Sequence, residues 1–107
     1  MGDKSDYEVV ALFESPIDAL SYYELFGPTK MLLVSLCGTP SKSQREGLVA
    51  KIRHFGLKKV RLCFDADEAG DAQACDLRKS LPLHFEVSRL RPLKKDWNDV
   101  LNKKRNV

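Results

Sequence analysis

Glu14 ends the apolar run Val9–Phe13, and Asp65, Ala66 and Asp67 end a second run, Val60–Phe64. If both runs are buried strands of one parallel sheet, three carboxylates gather at its carboxyl edge, where open α/β sheets bind their ligands. Carboxylates crowded into one volume repel one another, and a hard divalent cation such as Mg²⁺ (or Mn²⁺) relieves that repulsion through oxygen ligation. Asp65 and Asp67 lie two apart on an extended segment and so project to the same side. Asp71, one helical turn later, is a second-tier candidate for the same volume, as are Asp18 and Asp96.

Four strand–helix alternations are expected to position these acids. The first strand spans Glu8 to Phe13, and a helix follows from Pro16 to about Phe26, with Ser15 as N-cap and Gly27-Pro28 as its stop. Met31 to Leu36 is a continuous apolar strand expected to be buried on both faces. Ser43 and Glu46 have capping-box spacing and predict a helix to His54, whose apolar face is Leu48, Val49, Ile52 and Phe55 and whose stop is Gly56. Lys59 to Phe64 is the third strand. Ala69 to about Lys79 is a helix whose Ala69, Gly70, Ala72 and Ala74 permit close approach to the sheet. Leu83 to Leu90 alternates as an edge strand does, and Asp96 to Lys103 forms a terminal helix.

Such alternation predicts an α/β, Rossmann-like domain: a four-stranded, mostly parallel sheet with helices on both faces. Glu14 and Asp65 can share a site only if strands one and three are neighbours, which the order 2-1-3-4 provides.

At 107 residues the chain is one domain. It has no apolar stretch near the roughly 20 residues that span a bilayer, so no membrane partner is expected. The opening Met-Gly-Asp-Lys-Ser-Asp is too polar for a signal peptide. Cys37, Cys63 and Cys75 lack zinc-site spacing and read as buried, reduced thiols of a cytoplasmic protein. The formal charge is +3, with basic clusters at Lys58, Lys59 and Arg61, at Arg89, Arg91, Lys94 and Lys95, and at Lys103, Lys104 and Arg105. Lys58, Lys59, Arg61, Lys94 and Lys95 are the candidate nucleic-acid contacts, a role that gains force only beside an acidic metal site; otherwise such runs are solvated surface.

Several of the acids have plainer structural roles open to them. Asp67 is a natural N-cap, Glu68 and Asp71 suit a helix N-terminus, and Ser15 with Asp18 has capping-box spacing. Asp96, Asn98 and Asp99 serve equally well to start the last helix, with Trp97 packing its first turn. Glu14 has a plain reading as a strand end or an arginine partner. Dinucleotide and Walker A glycine patterns are absent. Gly38 and Thr39 after the second strand offer N–H groups to a phosphate, or simply form a turn.

These residues resemble the TOPRIM domain shared by bacterial-type primases, type IA and type II topoisomerases, OLD-family nucleases and recombination-mediator proteins. The likeness runs from Val9 to Leu101: in that family a glutamate ends the first strand and Asp-x-Asp ends the third, as Glu14, Asp65 and Asp67 do. The primase branch is the most similar. Glu14-Ser15-Pro16-Ile17-Asp18-Ala19-Leu20 resembles its Glu-x-x-x-Asp-x-(Ala/Val)-Leu, Leu36-Cys37-Gly38-Thr39 resembles its Leu-Gly-Thr loop, and Asp65 to Ala74 resembles Asp-x-Asp-x-Ala-Gly-x-x-Ala. Lys95-Asp96-Trp97-Asn98-Asp99 resembles the ending of TOPRIM proteins carried by plasmids and conjugative elements.

The resemblance implies Mg²⁺-dependent nucleotidyl transfer in DNA replication or mobilisation, with Glu14 as general acid or base and Asp65 and Asp67 holding the metal. It implies DNA, nucleotides or an RNA primer, and the other domains of a parent protein, as partners. Two departures stand out. Asn98 occupies a position that is acidic in replicative primases, and the chain lacks the zinc-binding and N-terminal catalytic subdomains of those enzymes. The expectation is therefore a single TOPRIM domain, residues 1–107, excised from a larger protein and inactive alone. A nuclease, a topoisomerase-type cleaving centre, or a non-catalytic module that binds DNA or protein stand as alternatives.

Overall fold

Local caps set the ends of the elements. Ser15 Oγ accepts from the Asp18 N–H at 3.3 Å and Pro16 takes the first helical position, so α1 starts at Pro16 and runs to Phe26. Gly27, left-handed at φ 52°, closes it. The computed structural model describes residues 7–105. Its elements are β1 (Val9–Phe13), α1, β2 (Met31–Ser35), α2 (Lys42–His54), β3 (Lys59–Leu62), α3 (Glu68–Ser80), β4 (Glu86–Arg89) and α4 (Trp97–Arg105). The polar opening hexapeptide lies outside the described residues.

The sheet order is β2-β1-β3-β4, and every neighbouring pair is parallel. The expected order therefore holds, and the sheet is wholly rather than mostly parallel. All strands thus begin at one edge, and Glu14 and Asp65 leave adjacent strands at the other.

The two faces carry separate cores. Val10, Leu12, Val60, Leu62 and Phe64 point to the side where Val49, Ile52, Ala74 and Leu77 of α2 and α3 pack. Ala11, Phe13 and Cys63 point to the other side, against Tyr22 of α1 and Trp97. Trp97 sits edge-on to Tyr22, centroids 5.0 Å apart, and its Nε1 donates to the Cys63 carbonyl at 2.9 Å. That bond ties the start of α4 to the residue just after β3.

Several expectations need correction. The capping box of α2 is Ser41 with Gln44, not Ser43 with Glu46: Ser41 Oγ accepts from the Gln44 N–H, and Gln44 Oε1 accepts from the Ser41 N–H. Ser41 is extended and α2 begins at Lys42, so the cap sits two residues sooner, where both partners face each other. β2 is an outer strand, so its side chains touch both cores yet remain half-buried. Helix α3 begins at Glu68 because Asp67 caps it, and β4 is only four residues long, leaving Leu83 fully exposed ahead of it. Of the cysteines only Cys63 is buried; Cys37 and Cys75 are exposed. No helix among the described residues is long and apolar enough to cross a membrane.

Candidate metal centre

Parallel pairing of β1 with β3 brings the two acidic strand ends together. Glu14 Oε1 accepts from the Asp65 main-chain N–H at 3.1 Å, so the glutamate is anchored to the residue across the switch point. A third acid arrives from α1 and a fourth from the loop ahead of α4. Carboxylate oxygens of Asp18, Asp65 and Asp96 all lie within 4.8 Å of one another.

Each member is held by its own device. Asp18 stands in the first turn of α1, buried, with Oδ2 receiving the Ser15 hydroxyl at 3.0 Å and Oδ1 receiving the Asn98 N–H at 3.2 Å. Asp96 precedes α4, and its Oδ1 accepts from the Asp99 N–H at 2.8 Å. The Ala66 N–H donates to the Lys95 carbonyl at 2.7 Å, which stitches the loop carrying Asp65 to the loop carrying Asp96.

The electrostatics follow from that crowding. Burial, and then the charges of Glu14, Asp18, Asp96 and Asp67, push the Asp65 carboxyl up to about 7. Asp18 is also raised, chiefly by burial and further by Asp96 and Asp99, against the hydrogen bonds from Ser15 and Asn98. The donor set is oxygen alone, converging and short of compensating positive charge, which is the chemistry that a hard divalent cation satisfies. Cys63, pushed up to about 12 chiefly by burial, is a core thiol and no ligand.

Other candidates fall elsewhere. Asp67 lies near enough for its charge to act on Asp65, but its Oδ1 accepts from the Gly70 N–H at 2.7 Å, the N-cap of α3. Asn caps as well as Asp, so Asp67→Asn is expected to leave the thermal midpoint within about 2 °C, whereas Asp67→Ala should lower stability by about 1 kcal/mol in a denaturation series. Asp71 is drawn away from the cluster into ion pairs with Arg89 at 3.0 Å and Arg91 at 3.4 Å. The Gly38 N–H donates to the Glu14 carbonyl at 2.9 Å and so braces the end of β1, while Thr39 beside it is exposed.

The basic residues divide by edge. Lys94 and Lys95 are exposed beside the acidic loops. Lys58 and Lys59 stand at the start of β3, roughly 20 Å of extended chain from Asp65, at the opposite edge of the sheet. Arg61 is half-buried in mid-strand and donates to the Tyr22 hydroxyl at 3.3 Å, an internal contact.

Two residues outside the candidate set matter here. Buried Gln73 donates from Nε2 to the Gly38 carbonyl at 3.1 Å and so ties α3 to the loop after β2. Arg89 donates to carbonyls at the end of β3. Neither residue lies in a spacing pattern that could have pointed to this role.

A family model described as Toprim-like matches residues 11–101. Among solved structures, the primase fragment of the bacteriophage T7 primase-helicase protein is similar, at 26% identity and a TM-score of 0.72 over 94% of this chain and 41% of that one. A second is the bacteriophage T7 lagging-strand DNA polymerase interacting with primase domains of two gp4 subunits bound to an RNA/DNA hybrid and dTTP. There the identity is 21%, the TM-score 0.72, and the coverage 94% of this chain and 50% of that one, a likeness of fold. This chain thus spans half or less of either structure's length. No curated protein matches it in sequence. Because the matched stretch runs from inside β1 to inside α4, taking in all four acids of the cluster, the chain belongs to the Toprim-like family.

Proposed function

We propose that this domain is the metal-dependent catalytic module of a longer, primase-like protein that joins nucleotides on a nucleic-acid template. The convergence of the Asp18, Asp65 and Asp96 oxygens within 4.8 Å, with Glu14 anchored beside them, carries that reading. Asp65, Asp18 and Asp96 would hold Mg²⁺ or Mn²⁺, with the free oxygens of Glu14 and Asp67 close by. Such a cation, when bound, neutralises phosphate charge and stabilises attacking and leaving oxygens.

The chain's own residues supply the rest. Glu14 keeps Oε1 on the Asp65 N–H and offers its second oxygen to take a proton from an attacking 3′-hydroxyl. Asp18, locked by Ser15 and Asn98, fixes one wall of the site. Lys94 and Lys95 draw the nucleic-acid strand toward the acids in a salt-sensitive way. Likeness to the T7 primase fragment at 26% identity supports polymerising over cleaving chemistry. Nucleic acid and the remainder of the parent protein are the partners that this reading requires.

Glu14→Gln in the longer protein provides the test. The amide oxygen still accepts from the Asp65 N–H, so fold and metal affinity should persist. Primer synthesis on a single-stranded template should fall by roughly 100- to 10,000-fold, the usual weight of a lost general base. Synthesis at the wild-type rate would refute the assignment.

A further inference from the structure

The regular pairing of β3 ends before its acids begin. Its register with β4 closes at Leu62 opposite Arg89, and the last main-chain link across that boundary is the Leu90 N–H to the Leu62 carbonyl at 2.9 Å. Beyond that rung, the carbonyls of Phe64 and Asp65 meet a side chain instead of a strand. Arg89 Nη1 donates to the Phe64 carbonyl at 2.7 Å and to that of Leu62 at 3.3 Å. Arg89 Nη2 donates to the Asp65 carbonyl at 2.7 Å and to Asp71 Oδ1 at 3.0 Å.

The side chain is only 15% exposed, so its charge has been taken largely out of water. A guanidinium is a planar fork of fixed geometry, able to hold two carbonyls at a set spacing. Asp65 is thereby gripped on both sides: Glu14 on its N–H, Arg89 on its C=O. The two peptide units that flank its Cα, and so aim its carboxylate at Asp18 and Asp96, have little freedom left.

We propose that Arg89 is the positioning residue of the metal centre, its guanidinium extending the β4 edge so that Asp65 is held in ligating geometry. The inference rests on the metal-binding reading above, and it assigns Arg89 no contact with substrate. Ion pairing with Asp71 then serves to orient the fork and to tie α3 to the same point.

The test uses the 107-residue chain. Mn²⁺ affinity, followed by electron paramagnetic resonance well below each variant's unfolding midpoint, should fall about tenfold or more in Arg89→Met, the usual scale for lost support of a ligand. Arg89→Lys keeps the charge but has one nitrogen to serve the carbonyls of Leu62, Phe64 and Asp65, and should recover only part of that affinity. Affinity unchanged in Arg89→Met would overturn the proposal.

A second arm needs no metal. Hydrogen exchange at the Asp65 amide should accelerate at least tenfold more in Arg89→Met than exchange at the Cys63 amide, which donates to the Leu12 carbonyl and reports opening of the sheet itself. Equal acceleration at both would mean that Arg89 merely stabilises the fold, and the proposal would fall. If the wild-type chain bound no Mn²⁺, the metal reading would fail, and the exchange arm alone would decide whether Arg89 positions Asp65.

Discussion

Gly70→Ala should lower stability by about 2–4 kcal/mol, in a substitution that ordinarily strengthens a helix by roughly 0.5–1 kcal/mol. A Cβ at Gly70 would lie 2.0 Å from the Asp65 carbonyl oxygen and 2.9 Å from its carbonyl carbon. Both are main-chain atoms, so no side chain can swing aside. Helix α3 would have to retreat by roughly an ångström or more, against three restraints that converge there. These are the Asp67 cap on the Gly70 N–H, the Arg89 grip on the Asp65 carbonyl, and the Gln73 contact to Gly38.

The cost also reaches the site. A displacement of about 1 Å at a reacting centre typically lowers a rate on the order of 100-fold. Gly47→Ala is the matched control: it sits inside α2 with nothing within 4 Å of the added carbon, and should raise stability by about 0.5–1 kcal/mol. Denaturation of the two variants side by side checks the pair. A Gly70→Ala midpoint equal to or above that of wild type would mean that α3 does not seat against Asp65 as described.

Asp65→Asn is expected to stabilise the metal-free protein while destroying its metal site. The Asp65 carboxyl is pushed from 3.8 up to about 7, first by burial and then by Glu14. The folded state therefore binds this proton more tightly than the unfolded chain does. That contribution to stability is complete below about pH 4 and is lost as pH rises through about 7. At pH 8 the wild-type protein bears the whole penalty, and the neutral amide bears none.

Solvent screens this part-exposed group, so the gain at pH 8 should be about 1 kcal/mol, or roughly 4–8 °C in the midpoint. Adding Mg²⁺ or Mn²⁺ should reverse the order. Wild type gains stability by mass action, whereas the variant, short of a ligand, should lose affinity on the order of 100-fold or more. Metal affinity of the wild type should itself rise with pH up to about 7 as the competing proton leaves Asp65. Thermal scans at pH 5 and pH 8, with and without the cation, check both signs. A variant less stable than wild type at pH 8 without metal would show that the acids do not repel one another in the fold.

What could be read without coordinates was set by interactions close along the chain or by burial. Strand–helix alternation, the Ser15 cap, the Gly27 stop and the apolar face of α2 each depend on residues within a few positions of one another. Even the strand order was accessible, because Glu14 and Asp65 can meet only if β1 and β3 are neighbours. The small residues of α3 announced a close approach, which Gly70 makes against Asp65.

The composition of the acidic cluster was decided by the tertiary structure. Spacing alone ranked Asp67 beside Asp65, since two residues apart on extended chain share a side. Folding commits one Asp67 oxygen to the cap of α3 and brings Asp18 and Asp96 up to Asp65. Asp18 meets Asn98 across 80 positions of sequence, at a junction set by how α1 and α4 pack around Tyr22 and Trp97. Arg89 was equally hidden, because its partners are carbonyls, which every residue carries and no pattern of side chains can mark. Caps and periods are local and so are written in the sequence; ligand distances depend on where separate helices cross, and only packing sets that.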